Sequence, residues 1–146
     1  MPERVVLREL KLVLPMAPDM EVLASQAATA MAEFMGMTPD KIDEVRMAVV
    51  EACINAFEHS HAVERKVDIT FSVEGEEDEQ PERLCITVHD KGVGFVPEEV
   101  EQPRLAEKLK AKRKRGWGIK IIQGLMDEVR FDSGAQGTTV VMCKSR

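Results

Sequence analysis

The chain has 146 residues, 44% hydrophobic and 32% charged, with a net charge of −6, so it has enough apolar material for one domain over residues 1–146 and not for two. The acidic balance disfavours nonspecific binding of nucleic acid. No run of about 18 apolar residues is present, and the N-terminal sequence MPERVVLREL lacks the apolar segment of a signal peptide, so we expect no membrane association.

Three cysteines, Cys53, Cys85 and Cys143, lie inside apolar runs. Their number is odd and no CxxC pair is present, so the sequence gives no metal or redox motif. We therefore expect three buried, reduced thiols in a cytoplasmic protein.

The first segments of the chain predict a strand followed by a helix. Val5–Leu14 is rich in valine and leucine and is ended by Pro15, as is typical of an edge strand. Asp19 is placed to cap a helix over Met20–Met35 with its carboxylate, and Gly36 supplies the C-terminal stop. The apolar residues of this helix that we expect to face the core are Val22, Leu23, Ala27, Ala30, Met31 and Phe34.

A second, longer helix is predicted from Thr38 to about His59, with Thr38 as its cap and proline at its first position. Its apolar stripe consists of Ile42, Val45, Val49, Ala52, Cys53, Ala56 and Phe57. Glu51 and Asn55 lie one turn apart on a neighbouring face, followed by Glu58 or His59. A carboxylate and a carboxamide at this spacing are either ordinary surface residues or part of a site.

The remaining chain predicts four strands and further helices. Lys66–Val73 alternates apolar and polar residues, as in a strand with one wet face, and the acidic turn Gly75–Glu82 joins it to a strand at Leu84–Val88. After a strongly charged segment with a short helix near 104–111, a helix is predicted at Gly116–Met126, with Ile119, Ile121, Ile122 and Leu125 inward. A closing hairpin pairs 129–132 with 138–143.

Strands and helices do not alternate strictly, so a doubly wound parallel sheet is not expected. The order predicts an α+β fold: a two-layer α/β sandwich with a mixed, mostly antiparallel sheet and helices on one face. Four short segments of this layout share glycine, acidic or amide residues at its turns and helix ends: Met47–Ser60 (MAVVEACINAFEHS), Asp90–Phe95 (DKGVGF), Arg115–Ile119 (RGWGI) and Gly137–Val141 (GTTVV).

In this order, the four segments resemble the N, G1, G2 and G3 boxes of the GHKL (histidine-kinase-like) ATPase superfamily. The resemblance covers roughly residues 40–142. Since the chain is short and carries no attached module, it is most similar to the stand-alone anti-sigma-factor serine kinases of that superfamily. The resemblance implies the two-layer fold described above, with ATP held between the helices and the sheet.

The resemblance also implies roles for the two polar residues of the long helix. Asn55 would coordinate Mg²⁺ through its side-chain oxygen, together with phosphate oxygens and water, which suits an ion that prefers hard oxygen ligands. Glu51 would lie near the terminal phosphate and act as the catalytic carboxylate that accepts the proton of the attacking group.

The remaining site residues follow from the G1, G2 and G3 boxes. Asp90 would accept a hydrogen bond from the exocyclic amine of adenine, which favours ATP over GTP, and Thr138 or Thr139 would assist. The glycines of the boxes would let the backbone approach the nucleotide and would open a helix N-terminus towards phosphate. These nucleotide-binding glycines are Gly92, Gly94, Gly116 and Gly118.

A basic cluster lies where the resemblance places the lid over the nucleotide; it consists of Arg104, Lys108, Lys110, Lys112, Arg113, Lys114 and Arg115. Arg115, and after it Arg104, would reach the phosphates. The alternatives are a solvated basic helix or, less favoured, a nucleic-acid contact.

Three functions remain open from the sequence. The first is an ATP-dependent serine-protein kinase acting as an anti-sigma factor; the resemblance implies that it binds a sigma factor, phosphorylates a small anti-anti-sigma antagonist and forms homodimers. The second is a catalytically silent ATP-binding interaction module. The third, a histidine-kinase catalytic fragment, is disfavoured because only some forty residues precede the ATP-binding boxes, too few for a phosphoacceptor hairpin.

Overall fold

The computed structural model describes residues 4–59, 65–91, 118–134 and 137–146. Within these ranges the chain forms a five-stranded sheet and three helices. The strands are β1 (Val5–Pro15), β2 (Lys66–Gly75), β3 (Arg83–Asp90), β4 (Glu128–Gly134) and β5 (Gly137–Ser145). The helices are α1 (Met20–Met35), α2 (Pro39–His59) and α3, which is described over 118–125.

The sheet has the strand order β1-β2-β3-β5-β4, with β1 and β4 at its edges. All four neighbouring pairs are antiparallel, so the described strands contain no example of the parallel pairing that a mixed sheet would add. The α+β class, the two layers and the edge position of β1 are confirmed. No helix within the described ranges has the length and apolar character needed to cross a membrane.

The core lies between one face of the sheet and the helices. On β2, Val67, Ile69, Phe71 and Val73 are completely buried while the residues between them are half-buried, as the alternation predicts. The stripe of α2 is confirmed as well: five of its seven residues are buried, and Ile42 and Phe57 pack partly against the same cluster. The opposite face of the sheet, here called the open face, contributes nothing to this core cluster.

The buried face of α1 overlaps the predicted one only in part: Ala27 and Met31 pack partly against the core, as predicted, and the other four residues do not. Val22, Leu23 and Phe34 are 46%, 49% and 58% exposed, whereas the buried residues are Ala24, Ser25, Ala28, Ala32 and Met35. Small side chains let the backbone of α1 lie close to α2, its main neighbour. The prediction was wrong because apolarity alone does not distinguish a large exposed side chain from a small buried one.

The caps of the two helices agree with the sequence in part. Thr38 caps α2 as predicted, since its hydroxyl accepts the backbone N–H of Lys41 at 3.4 Å. Gly36 ends α1 with a φ of 81°, a conformation that glycine adopts without strain. Asp19 occupies the N-cap position of α1, but its carboxylate makes no capping hydrogen bond, so that part of the prediction is wrong.

The prediction of three reduced thiols is wrong for two of them. Cys85 and Cys143 are directly paired in the β3–β5 ladder and form a disulfide, with Cα atoms 4.1 Å apart. The sequence does not reveal this pairing, because the two residues are 58 positions apart and only the strand register brings them together. Cys53 is a buried free thiol, as predicted.

A buried lysine joins α3 to the rest of the fold. Lys144 on β5 donates hydrogen bonds to the carboxylate of Glu44 on α2 and to the backbone carbonyl of Leu125 at the end of α3, both at 2.5 Å. The side chain of Lys144 is only 8% exposed. Beside it, Ile122 of α3 is buried, whereas Ile121 is 37% exposed, contrary to the inward position predicted for it.

Replacing Lys144 with methionine should lower the free energy of unfolding by about 2 kcal/mol, because Glu44 and a terminal helix carbonyl lose their buried donor. The expected loss of stability is smaller than for a fully buried ion pair because Glu44 is 38% exposed, so water can solvate its carboxylate once the lysine is gone. Urea unfolding measures the difference. Lys120→Met, at an exposed position of α3, is the matched control and should change stability by less than about 0.5 kcal/mol. If both variants lose the same free energy of unfolding, the contacts of Lys144 with Glu44 and Leu125 do not stabilise the fold.

Candidate nucleotide site

Two polar residues of α2 lie at the boundary between its buried and exposed faces. Asn55 is 7% exposed although it is a carboxamide, and Glu51, one turn earlier, is half-buried. A Cβ atom placed on Gly118 would lie 3.7 Å from Oε2 of Glu51. The carboxylate of Glu51 therefore faces the beginning of the described part of α3. The structure thus brings Glu51 of the N box and Gly118 of the G2 box together, as the sequence predicts.

The end of α2 is tied to the end of the sheet where Asp90 lies. Arg65 donates from Nη2 to the carbonyl of Phe57 at 2.9 Å, so the last turns of α2 adjoin the start of β2. Two residues further on, Val67 of β2 pairs directly with Asp90, the last residue of β3. The half of α2 that carries Glu51 and Asn55 therefore adjoins the same end of the sheet as Asp90.

Asp90 is 4% exposed and lies directly opposite Thr138 in the β3–β5 ladder. Thr138 alternates with the core residue Val140, so it lies on the helix-facing side of the sheet. Its neighbour Thr139 instead bonds to Nδ1 of His89 at 2.7 Å on the open face. Of the two threonines left open by the sequence, Thr138 is the one that shares a face with Asp90.

Ser133 is a residue of this region that the sequence analysis missed. It pairs with Thr138 in the β4–β5 ladder, and the two hydroxyl oxygens lie 3.1 Å apart. A hydrogen bond between them restricts the orientation of the Thr138 hydroxyl beside Asp90. Only the hairpin register, with Gly134 opposite Gly137, could have revealed the contact.

Gly137 has a φ of 116°, so a side chain at this turn would be strained.

The residues present fit a magnesium ion that is bound together with phosphate. Asn55 offers a carboxamide oxygen of the hard type that Mg²⁺ prefers, and the carboxylate of Glu51 lies one turn away. In the described part of the chain no three His, Cys, Asp or Glu side chains form a cluster that could hold a metal ion. An ion held at Asn55 would therefore take further ligands from the phosphates of a nucleotide and from water.

The remaining predicted residues of the site lie outside the described ranges. They are Gly92, Gly94, Arg104, Arg115 and Gly116, together with the rest of the basic cluster and its short helix. Their roles stay predictions. The described part of the site consists of Glu51, Asn55, Asp90, Gly118 and Thr138 at one end of the sheet and helices.

Comparison with known proteins shows the family of the chain. Residues 14–144 match the family described as the histidine kinase-like ATPase domain, which is nearly the whole chain. The chain belongs to the histidine kinase-like ATPase family. The serine-protein kinase RsbW of Bacillus velezensis is similar, with 30% identity over 135 residues, covering 90% of this chain and 81% of that protein. The anti-sigma F factor of Bacillus subtilis is 32% identical over 111 residues, covering 73% of this chain and 71% of that protein.

A solved structure supports the fold independently. The crystal structure of the RsbU and RsbW domains of a Mycobacterium tuberculosis protein matches 95% of this chain with a TM-score of 0.68. This chain spans 33% of that larger protein, and the identity of 19% shows a common fold alone. The resemblance to the histidine kinase-like ATPases, drawn from the four boxes of the sequence, is confirmed by the family match over residues 14–144.

Proposed function

We propose that this chain is an ATP-dependent serine-protein kinase that acts as an anti-sigma factor. The observation that carries the proposal is the position of Glu51, whose carboxylate faces Gly118 of α3 from the helix that also carries Asn55. A family member that only bound ATP would not need a carboxylate there. Relatives of similar length are named as a serine-protein kinase and as an anti-sigma factor.

Each residue of the proposed mechanism has one task. Asp90 accepts the exocyclic amine of adenine and orients the nucleotide at the end of the sheet. Gly116 and Gly118 would direct backbone N–H groups towards the phosphates, and Arg115 would add positive charge. Asn55 would hold Mg²⁺, which would neutralise part of the phosphate charge. Glu51 accepts the proton of a serine hydroxyl as its oxygen attacks the terminal phosphorus and the bond to the leaving diphosphate breaks.

The proposed partners follow from the names of the relatives. One partner is a sigma factor, which this chain would hold inactive. The other is a small anti-anti-sigma domain whose serine receives the phosphate. The added charge on the phosphorylated antagonist would break its complex with this chain by repulsion from acidic groups, and the chain would then return to the sigma factor. We place this exchange in the cytoplasm, where sigma factors act.

Calorimetric titration with ATP, in the presence and absence of Mg²⁺, tests the nucleotide site. We expect binding that depends on magnesium and that Asn55→Ala weakens at least tenfold when Mg²⁺ is present, because the ion loses a ligand. Gln26→Ala is the matched control, since Gln26 is also a carboxamide on a helix but is exposed on α1. Absence of ATP binding by the folded wild-type chain would refute the proposed function and favour an interaction module that works without nucleotide.

We also propose that two copies of the chain associate through an apolar surface formed by α1 and β1. Leu23, Ala27, Ala30 and Phe34 lie on one side of α1, and Leu23 and Phe34 are about half exposed. The guanidinium of Arg8 on β1 lies 5.7 Å from the centre of the Phe34 ring, which joins this side of the helix to the edge strand. Apolar residues at an edge strand and an adjacent helix suit a self-complementary contact with a second copy.

Sedimentation equilibrium tests this association. The wild-type chain should behave as a dimer, and Leu23→Glu should shift it to monomer because a charge would be buried in the interface. Met47→Glu is the control, since Met47 is an equally exposed apolar residue on α2, outside this surface. A monomeric wild type, or equal dissociation in both variants, would refute the proposed interface.

A further inference from the structure

The Cys85–Cys143 disulfide lies on the open face of the sheet. Its neighbours along the strands, Leu84, Ile86 and Met142, belong to the core cluster under the helices. Since successive side chains of a strand point to opposite faces, the two cysteines point away from that core. They are absent from the core cluster although they are only 8% and 4% exposed.

An ion pair crosses β5 beside the disulfide, and its arginine, Arg83, also pairs with Glu74 on β2. Arg83 on β3 contacts Glu128 on β4 at 3.3 Å, and β5 lies between those two strands. Glu128 pairs directly with Cys143, and Arg83 lies two residues before Cys85 on the same face. Glu128 is 64% exposed and belongs to the surface rather than to the core. Attack on the sulfur atoms from the open face would therefore displace surface side chains and not the core.

Contacts other than this bond also hold β3 and β5 together. The backbone ladder between β3 and β5 extends over eight residue pairs, from Arg83 with Ser145 to Asp90 with Thr138, and the buried side chains that hold the layers together lie on the other face. If the bond is reduced, the ladder still holds the two thiols opposite each other. Both redox states are thus compatible with the same architecture, as a reversible couple requires.

Cys53 provides the contrast within the same chain. It is fully buried on α2, and burial, with a smaller contribution from Glu21, raises the pKa of its thiol to about 12. Since only the thiolate attacks disulfides, Cys53 is inert near neutral pH. The chain therefore holds one unreactive thiol in the core and one pair of cysteines that lie opposite each other on the open face.

The bond also lies in the ladder that ends at the nucleotide site. Cys85 with Cys143 and Asp90 with Thr138 are pairs of the same two strands, five positions apart. A covalent bond between the strands adds one restraint to the backbone pairs of the ladder and so narrows the range of positions open to Asp90 and Thr138. Opening the bond removes that restriction about 17 Å away along the ladder.

We propose that Cys85 and Cys143 form a reversible thiol–disulfide site, oxidised by small disulfide compounds, that sets the affinity of the chain for nucleotide. In the first step one cysteine thiolate attacks the small disulfide, forms a mixed disulfide and releases one small thiolate. In the second step the other cysteine attacks the protein-side sulfur of that mixed disulfide and releases the second small thiolate. The protein pair loses two electrons, which the small disulfide gains.

The redox site itself is tested without any nucleotide. The purified chain is equilibrated with mixtures of reduced and oxidised glutathione, quenched in acid, denatured and alkylated, and the labels are counted by mass spectrometry. We expect one label per chain in excess oxidised glutathione and three in excess reduced glutathione, with the midpoint set by the squared concentration of the thiol over that of the disulfide. Three labels under oxidising conditions, or one under reducing conditions, would overturn the reversible site.

The effect on nucleotide affinity rests on the proposed function and is measured separately. We expect the oxidised wild type to bind ATP at least threefold more tightly than the reduced form, and to unfold about 10 °C higher because a loop of 58 residues is closed. The variant Cys85→Ser/Cys143→Ser should lose this dependence and Cys53→Ala should keep it. Equal affinities of the two wild-type forms would overturn the coupling. If neither form binds ATP, the proposed function and the coupling both fail, and the label counts alone still decide on the redox site.

Discussion

Glu51→Gln should leave ATP affinity within a factor of about two of the wild type and lower the rate of phosphate transfer to a serine acceptor by about 10²–10⁴. Glutamine keeps the size and hydrogen-bonding reach of glutamate but does not accept the proton of the attacking hydroxyl. Binding, which in the proposed mechanism depends on Asp90, Asn55 and the start of α3, should be little affected. Since the variant replaces only one carboxylate oxygen by an amide nitrogen, it distinguishes a role of Glu51 in phosphate transfer from a role in ATP binding.

The assay follows transfer of labelled terminal phosphate from ATP to a small anti-anti-sigma domain, with calorimetry for ATP affinity. Glu33→Gln is the matched control, because Glu33 is an exposed carboxylate on α1. Acid-stable phosphate on the acceptor distinguishes phosphoserine from phosphohistidine. Transfer at the wild-type rate by Glu51→Gln would remove Glu51 from its proposed role, whereas loss of ATP binding would assign it to nucleotide binding instead.

The second large effect is expected at the adenine end of the site. Asp90→Asn should weaken ATP binding by about 10- to 100-fold, because a buried charged acceptor is replaced by a neutral group that presents donors to the adenine amine. Binding of GTP should be weakened much less, since the new carboxamide can donate to the guanine carbonyl. The preference for ATP over GTP should therefore narrow.

Calorimetry with both nucleotides measures this preference. Asp132→Asn is the matched control: Asp132 is an exposed carboxylate on β4, at the same end of the sheet but paired with Thr139, whose side chain lies on the open face. Unchanged ATP affinity of Asp90→Asn would refute the adenine assignment. A loss that is equal for ATP and GTP would indicate a structural role for the buried carboxylate.

The parts of the fold that the sequence predicts are those in which one periodicity decides the structure. β2 alternates strictly, and α2 combines an apolar stripe with a threonine cap and proline, so burial follows directly from the pattern. α1 fails the same reasoning because its core face is made of alanine, which periodicity ranks below valine, leucine and phenylalanine. Close helix packing, which only the three-dimensional arrangement reveals, favours the small residues there.

The candidate site divides in a similar way. Glu51 and Asn55 are visible in the sequence because one helical turn separates them, and the short distance between Glu51 and Gly118 agrees with the order of the boxes. The choice of Thr138 over Thr139, its contact with Ser133 and the Cys85–Cys143 bond all depend on strand register, which pairs residues that are far apart in the chain. Lys144 was missed because a lysine at the end of an apolar strand is usually solvated.

The small buried face of α1 has a consequence for local opening of the native state. Alanine side chains remove little apolar surface from water, so α1 adds less hydrophobic stabilisation per turn than α2, whose buried face includes Val45 and Val49. Amide hydrogens of α1 should then exchange with solvent through partial unfolding events that leave α2 and the sheet intact. A second copy bound to the exposed side of α1 would slow that exchange. Association would then be seen as slower amide exchange in α1, with no change in the exchange rates of the rest of the molecule.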